Sequence, residues 1–145
     1  MKISRNSGAC QIEISTDRID ARVALAQHKL DAQILTDSTQ YVPFQQGMLR
    51  SSGHIPEDGV IEWDVPYAHY QYEGVQYIDP KLGVSGVYTE GYGWWSHAGV
   101  TKEPTNKPLK YSEPGTGSHW FDTAKTEHMK DWERLVKDTI GGKDT

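Results

Sequence analysis

Cysteine is nearly absent: Cys10 stands alone among 145 residues. A single thiol makes no bridge within the chain, which excludes a disulfide-stapled scaffold and points to a reducing, cytosolic origin. Long apolar runs are missing as well. No stretch approaches the roughly 20 residues that cross a bilayer. The opening Met-Lys-Ile-Ser-Arg has no apolar segment behind its charges, so a soluble protein without membrane span or secretory signal is expected. Phenylalanine is scarce, two residues against five Trp and eight Tyr. That balance favours surfaces that are half dry and half wet, because Trp and Tyr carry a polar handle. A basic surplus is also lacking. The net charge is −5, and residues 52–115 hold four Lys against nine Asp or Glu, so the acid excess sits in that segment. Proteins that grip nucleic acid show the reverse, although DNA that slides past without sticking remains compatible.

The length suits one domain with a real core, and the apolar content of 36% keeps that core modest. Cys10, Ile12 and Ile14 alternate with Gln11 and Glu13, the period of a half-buried strand. Ser15 or Thr16 then caps a helix with Asp17 and Asp20 in its first turn. Ile19, Val23, Ala26, Leu30 and Ile34 give it one apolar stripe, and it should end near Asp37-Ser38. Pro43 forces Val42 into an extended conformation and starts a connector. Gly47 suits a tight turn, and "MLRSSG" fits one helical turn or the start of a strand. Val60 to Val65 alternates as a strand, and Pro66 is placed at the first position of a short helix closed by Gly74.

Residues 75–118 are rich in Gly, Pro and Ser yet carry Tyr88, Tyr92, Trp94 and Trp95, which argues against plain disorder. They predict an inserted hairpin or protruding arm, with strands in "VSGVYTEGYGWW" and "KPLKYS". The last helix begins after Ser118 as cap, runs through Trp120, Ala124, His128, Trp132, Leu135 and Val136, and stops at Gly141-Gly142. The fold class expected is α+β: two long helices, N-terminal and C-terminal, packed on a small antiparallel sheet, with a short helix and an aromatic, Gly-rich hairpin.

Reactive constellations do not emerge. The histidines, His28, His54, His69, His97, His119 and His128, show no HExxH and no ligand-like pairing, so no metal is expected. Cys10 in a strand reads as buried and inert. Ser51, Ser52 and His54 are close in sequence without a GxSxG elbow. Glu62 and Asp64 share a strand face, as paired acids in a glycosidase would, but on a strand whose opposite face is apolar a solvated edge is the favoured reading. Phosphate-binding loops are absent. A small hydrolase using His54 or His69 has no further support, and neither catalytic residues nor cofactors are expected. The loop around Trp94 and Trp95 admits three uses: packing on the domain itself, anchoring a neighbouring subunit, or stacking a sugar in a carbohydrate-binding module.

Three separated segments together resemble a known family. Val42-Pro43 with Gly47, Leu49, Arg50 and Ser52, then Pro66-Tyr67-Ala68 with Gly74, then Trp120-Phe121 with Ala124-Lys125, are similar to the small minor capsid and tail-completion proteins of long-tailed phages. The likeness spreads over roughly residues 10–140. Gln46 departs from the acid or Thr frequent before the glycine, and 75–110 is longer than in short members. The resemblance implies a non-enzymatic virion protein made in the bacterial cytoplasm. It would form a ring, sixfold by expectation, at the neck between portal or head-completion proteins and the tail tube or its terminator. In that setting Arg50 would pair with carboxylates of its own or a neighbouring subunit, and Arg50, Tyr88, Tyr92, Trp94 and Trp95 become candidate interface residues. Glu57, Asp58, Glu62, Asp64, Glu73, Asp79 and Glu90 become candidates to face a DNA channel.

Overall fold

Apolar residues spaced by three and four build the helix α1 (Asp17–Thr39), whose first turn carries Asp17 and Asp20. The computed structural model describes residues 2–8, 10–44 and 47–143. Gln46 lies outside the described residues, as does the side chain of Cys10. Before α1, the strands β1 (Lys2–Ser7) and β2 (Cys10–Ser15) form an antiparallel ribbon. Ile14, expected on a buried face, is exposed there.

After α1 the chain makes a one-turn helix, α2 (Met48–Ser51), and then β3 (Gly53–Glu57) paired with β4 (Val60–Trp63). "MLRSSG" therefore supplies a helical turn first and a strand immediately afterwards. The short helix α3 (Ala68–Glu73) follows, and Gly74 closes it at φ 77°, a conformation that favours glycine. Pro66 is not its first residue: Tyr67 is the N-cap, and Pro66 sets the approach. Four strands remain, β5 (Val75–Ile78), β6 (Val87–Thr89), β7 (Gly93–Trp95) and β8 (Glu103–Pro108), before the closing helix α4 (Trp120–Ile140).

The class is α+β, with antiparallel pairing throughout the described residues. The strands do not join into one sheet, however. Among the described residues they form four two-stranded ribbons, β1–β2, β3–β4, β5–β8 and β6–β7. The apolar stripe of α1 meets α4, and the two long helices pack antiparallel on each other. Trp132 Nε1 donates to Asp37 Oδ2 at 2.7 Å, and at the far end Arg22 Nη1 reaches Ile140 O at 3.4 Å. Because α4 ends beside Arg22, the start of α1 runs past its partner and leaves Ile19 exposed.

The helix pair is tied to the ribbons by a buried carboxylate. Asp31 accepts from Gln27 Nε2 at 2.6 Å and from the backbone N–H of Gly59, in the β3–β4 turn, at 2.9 Å. A buried charge held this way is satisfied by its donors. At the start of α4 the cap is His119 in the left-handed region (φ 52°), not Ser118. Tertiary contacts decide this: His119 N–H donates to Tyr72 O at 3.0 Å, and Ser118 is held against Gly74.

Candidate functional site

The three motif segments, distant in sequence, meet in one cluster. Val42, Leu49, Ala68 and Trp120 are buried together, with Tyr41, Trp63, Val65 and Tyr72 packed around them. Trp120 is only 2% exposed. Trp63 and Tyr72 present edges to it at 5.5 Å and 4.7 Å between centroids, near-perpendicular arrangements favoured by the ring quadrupole.

The connector is shaped by its glycines and its cation. Gly47 adopts φ 82°, and a Cβ there would stand 3.0 Å from the Phe44 ring. Ser52 Oγ donates to Leu49 O at 2.7 Å and closes the turn of α2. The following Gly53 lets the backbone approach Trp63, since a Cβ would fall 2.7 Å from Trp63 Nε1. Arg50 Nη2 donates to Val42 O at 2.8 Å and to Glu113 Oε2 at 2.9 Å, and its guanidinium carbon lies 4.9 Å from the Phe44 ring centre. Of the two pairings expected of Arg50, with a carboxylate of its own or of a neighbouring subunit, the structure shows the one within the chain, clamping the connector to the 112–117 turn. Its partner Glu113, 63 residues away, has no signal in the sequence.

Gly74 shows the same economy of space. A Cβ would stand 2.5 Å from Ser118 Cβ, and Gly74 O accepts from Leu109 N–H at 2.9 Å. Tyr111 Oη donates to Gln71 O at 2.7 Å, which fastens the chain before α4 to α3. Beside this clamp lies a groove of about 450 Å³, bordered by Pro43, Phe44, Met48, Tyr67, Lys110 and Tyr111.

The predicted hairpin is β6–β7, with Val87 opposite Trp95 and Tyr88 opposite Trp94. Tyr92 and Trp94 are 78% and 77% exposed, and the rings of Tyr88 and Trp94 are 5.7 Å apart. Trp95 points to the other face, half-buried, donating through Nε1 to Thr89 Oγ1 at 2.8 Å. Successive strand residues face opposite ways. Trp94 and Trp95 therefore do not form one flat platform, and the rings of Tyr88 and Trp94 are themselves tilted by 59° to each other. The second predicted strand lies earlier than "KPLKYS", at Glu103–Pro108, where it pairs with β5.

Six of the seven candidate acids, Glu57, Asp58, Glu62, Asp64, Glu73 and Glu90, are exposed. The first four belong to β3–β4 and its edges; His28 Nδ1 stands 3.4 Å from Asp58, and His54 Nε2 stands 3.9 Å from Glu62. Asp79 is a correction. It is fully buried and cannot face a channel. It accepts from the backbone N–H of Lys81 at 2.8 Å, and from His97 through both backbone N–H at 3.2 Å and Nδ1 at 2.9 Å. Burial would raise its carboxyl, but these donors and the neighbouring His97 ring outweigh it and hold the group below the usual carboxylate range. Asp79 thus staples the base of the segment that carries the hairpin.

One further surface escaped the sequence reading. Phe121, Lys125, Met129, Trp132 and Val136 follow spacings of four, four, three and four, a second stripe on α4 beside the one already noted. With Leu30 and Ile34 of α1 it encloses an apolar groove of about 370 Å³. Among the described residues no group of three or more His, Cys, Asp or Glu is placed to hold a metal ion, and no helix is long and apolar enough to cross a membrane.

The fold and these surfaces define a small α+β packing domain that turns aromatic rings and acids outward. The chain belongs to the minor capsid protein family, whose model matches residues 8–139. It is a structural protein of the phage virion. No curated protein and no solved structure gives a significant match.

Proposed function

We propose that the chain is a ring subunit of the phage neck, a tail-completion protein joining the DNA-filled head to the tail and lining the passage for DNA. Six copies would close the ring, with a portal-side or head-completion protein above and the tail tube or its terminator below. The role is one of shape and contact, without turnover of a substrate. The observation that carries the reading is the charge of β3–β4. Glu57, Asp58, Glu62 and Asp64 are exposed on a ribbon that holds no Lys or Arg from Gly53 to Val65. A wall of that sign repels phosphates, so a genome passes without adhering. The motif clamp supports it by holding the ribbon rigidly: Gly53 and Trp63, the paired ends of β3–β4, abut the Trp120 cluster.

Electron cryomicroscopy of the particle tests this. A sixfold ring at the neck with β3–β4 turned to the lumen is the expected outcome. Location elsewhere in the capsid, or a neutral or basic lumen at this ring, overturns it. In the same particles, replacing the four acids by Lys should slow DNA ejection while leaving particle assembly intact.

A further inference from the structure

We infer that the β6–β7 hairpin of one copy docks in the α1–α4 groove of the next. The inference rests on the ring reading above and specifies its subunit contact. Two exposed apolar features of one chain are complementary. The hairpin offers Tyr88, Tyr92 and Trp94 on a ribbon whose single charge across residues 84–96 is Glu90. The groove offers half-buried Phe121 and Val136 over the buried Trp132, with exposed Met129 at its edge. Lys125 and Lys137 also line it, with Glu133 the one acid among its lining residues. Lys125 and Lys137 therefore give Glu90 a cation to meet on either side of Glu133.

The dimensions agree. Lys125 and Lys137 are twelve residues apart on α4, roughly 18 Å along the axis. The three-residue strands of the hairpin span roughly 10 Å, so the ribbon fits between the two lysines. An aromatic side chain buries roughly 150–250 Å², so two or three rings cover less than the roughly 800 Å² per partner of a stable pair. The contact is accordingly weak in isolation and gains strength when repeated. A knob on one face and a socket on another make a head-to-tail contact, the kind that closes into rings.

Sedimentation of the purified full chain at concentrations up to ~1 mM tests the contact. A hairpin variant, Tyr92→Ala with Trp94→Ala, and a groove variant, Met129→Glu, are each expected to weaken self-association about tenfold or more. Both sites are exposed, so circular dichroism should show unchanged folding. The charge variant Lys125→Glu with Lys137→Glu gives a second groove probe. The decisive arm mixes the hairpin variant with the groove variant: one intact knob and one intact socket remain, so a dimer should form and grow no further. If both variants associate like the parent protein, the docking is wrong while a neck ring stands. If the parent stays monomeric throughout, or the mixture gives no dimer, the docking is likewise overturned, and cryomicroscopy of particles decides the neck reading separately.

Discussion

Arg50 and Glu113 meet at 2.9 Å, and the same guanidinium nitrogen holds the carbonyl of Val42 at 2.8 Å. One cation thus joins three points of the chain: Val42 just beyond α1, the one-turn helix α2 that carries Arg50, and the turn that leads to α4. The Glu113 carboxylate is partly solvated, which limits the value of the ion pair. The bond to a main-chain carbonyl and the shielding by Phe44 make the site more than a surface pair.

Replacing Arg50 by Met should destabilise the fold by roughly 1–2 kcal/mol, since charge-assisted bonds are lost and Val42 O loses its donor. Lys at the same position should recover only part of this, because its ammonium does not pack over the Phe44 ring as the planar guanidinium does. Urea titration of both variants checks the order. Equal stability of all three proteins would remove the clamp.

Trp120 is the centre of the motif cluster, so its truncation leaves the largest cavity. Trp120→Ala should cost roughly 3–5 kcal/mol and Trp120→Phe distinctly less. Calorimetry reads this directly, with a shift of about 2–4 °C per kcal/mol for a chain near this size.

At Gly74 two penalties coincide, a positive φ and an approach of 2.5 Å to Ser118 Cβ. Gly74→Ala should destabilise by more than ~1 kcal/mol. Adding Ser118→Gly should return the steric share and leave the backbone share. A double-mutant cycle measures the split; simple additivity would deny the contact.

Asp79 gives a pH signature. Its carboxyl is held below the usual range, so the stabilisation is complete above about 3.9, the unfolded value, and disappears as pH falls through the lower folded value. The Lys81 and His97 amide resonances should titrate together with a midpoint below about 3.9. In Asp79→Asn that common titration should vanish, and the hairpin amides should exchange faster at neutral pH.

Much of this architecture was legible in the residues. The stripes of α1 and α4, the glycine that ends α3 and the hairpin at Tyr88–Trp95 all follow from local spacing, which a helix or ribbon obeys wherever it lies. What periodicity does not encode is the partner. Ile19 and Ile34 belong to one stripe, yet only the latter meets α4, because the length of α4 decides coverage. Strand β8 was misplaced because Pro104 and Pro108 weaken its strand signal; a two-stranded ribbon tolerates them, since its outer edge needs no donors. Arg50 announced a salt bridge without naming Glu113. Asp79 counted as one more acid until its donors, supplied by Lys81 and His97, placed it inside. The groove on α4 was readable and hidden only behind the stronger stripe beside it.

The division of the five tryptophans has an optical consequence. Trp63 and Trp120 lie edge to face in the interior while Trp94 stands in water, so emission from this chain has a blue component and a red one. Loss of the blue component tracks melting of the interior, to which Trp132 of the helix pair also contributes, whereas an event that shields Trp94 shifts the red edge. A single cuvette, with no dye attached, therefore separates the two processes by colour.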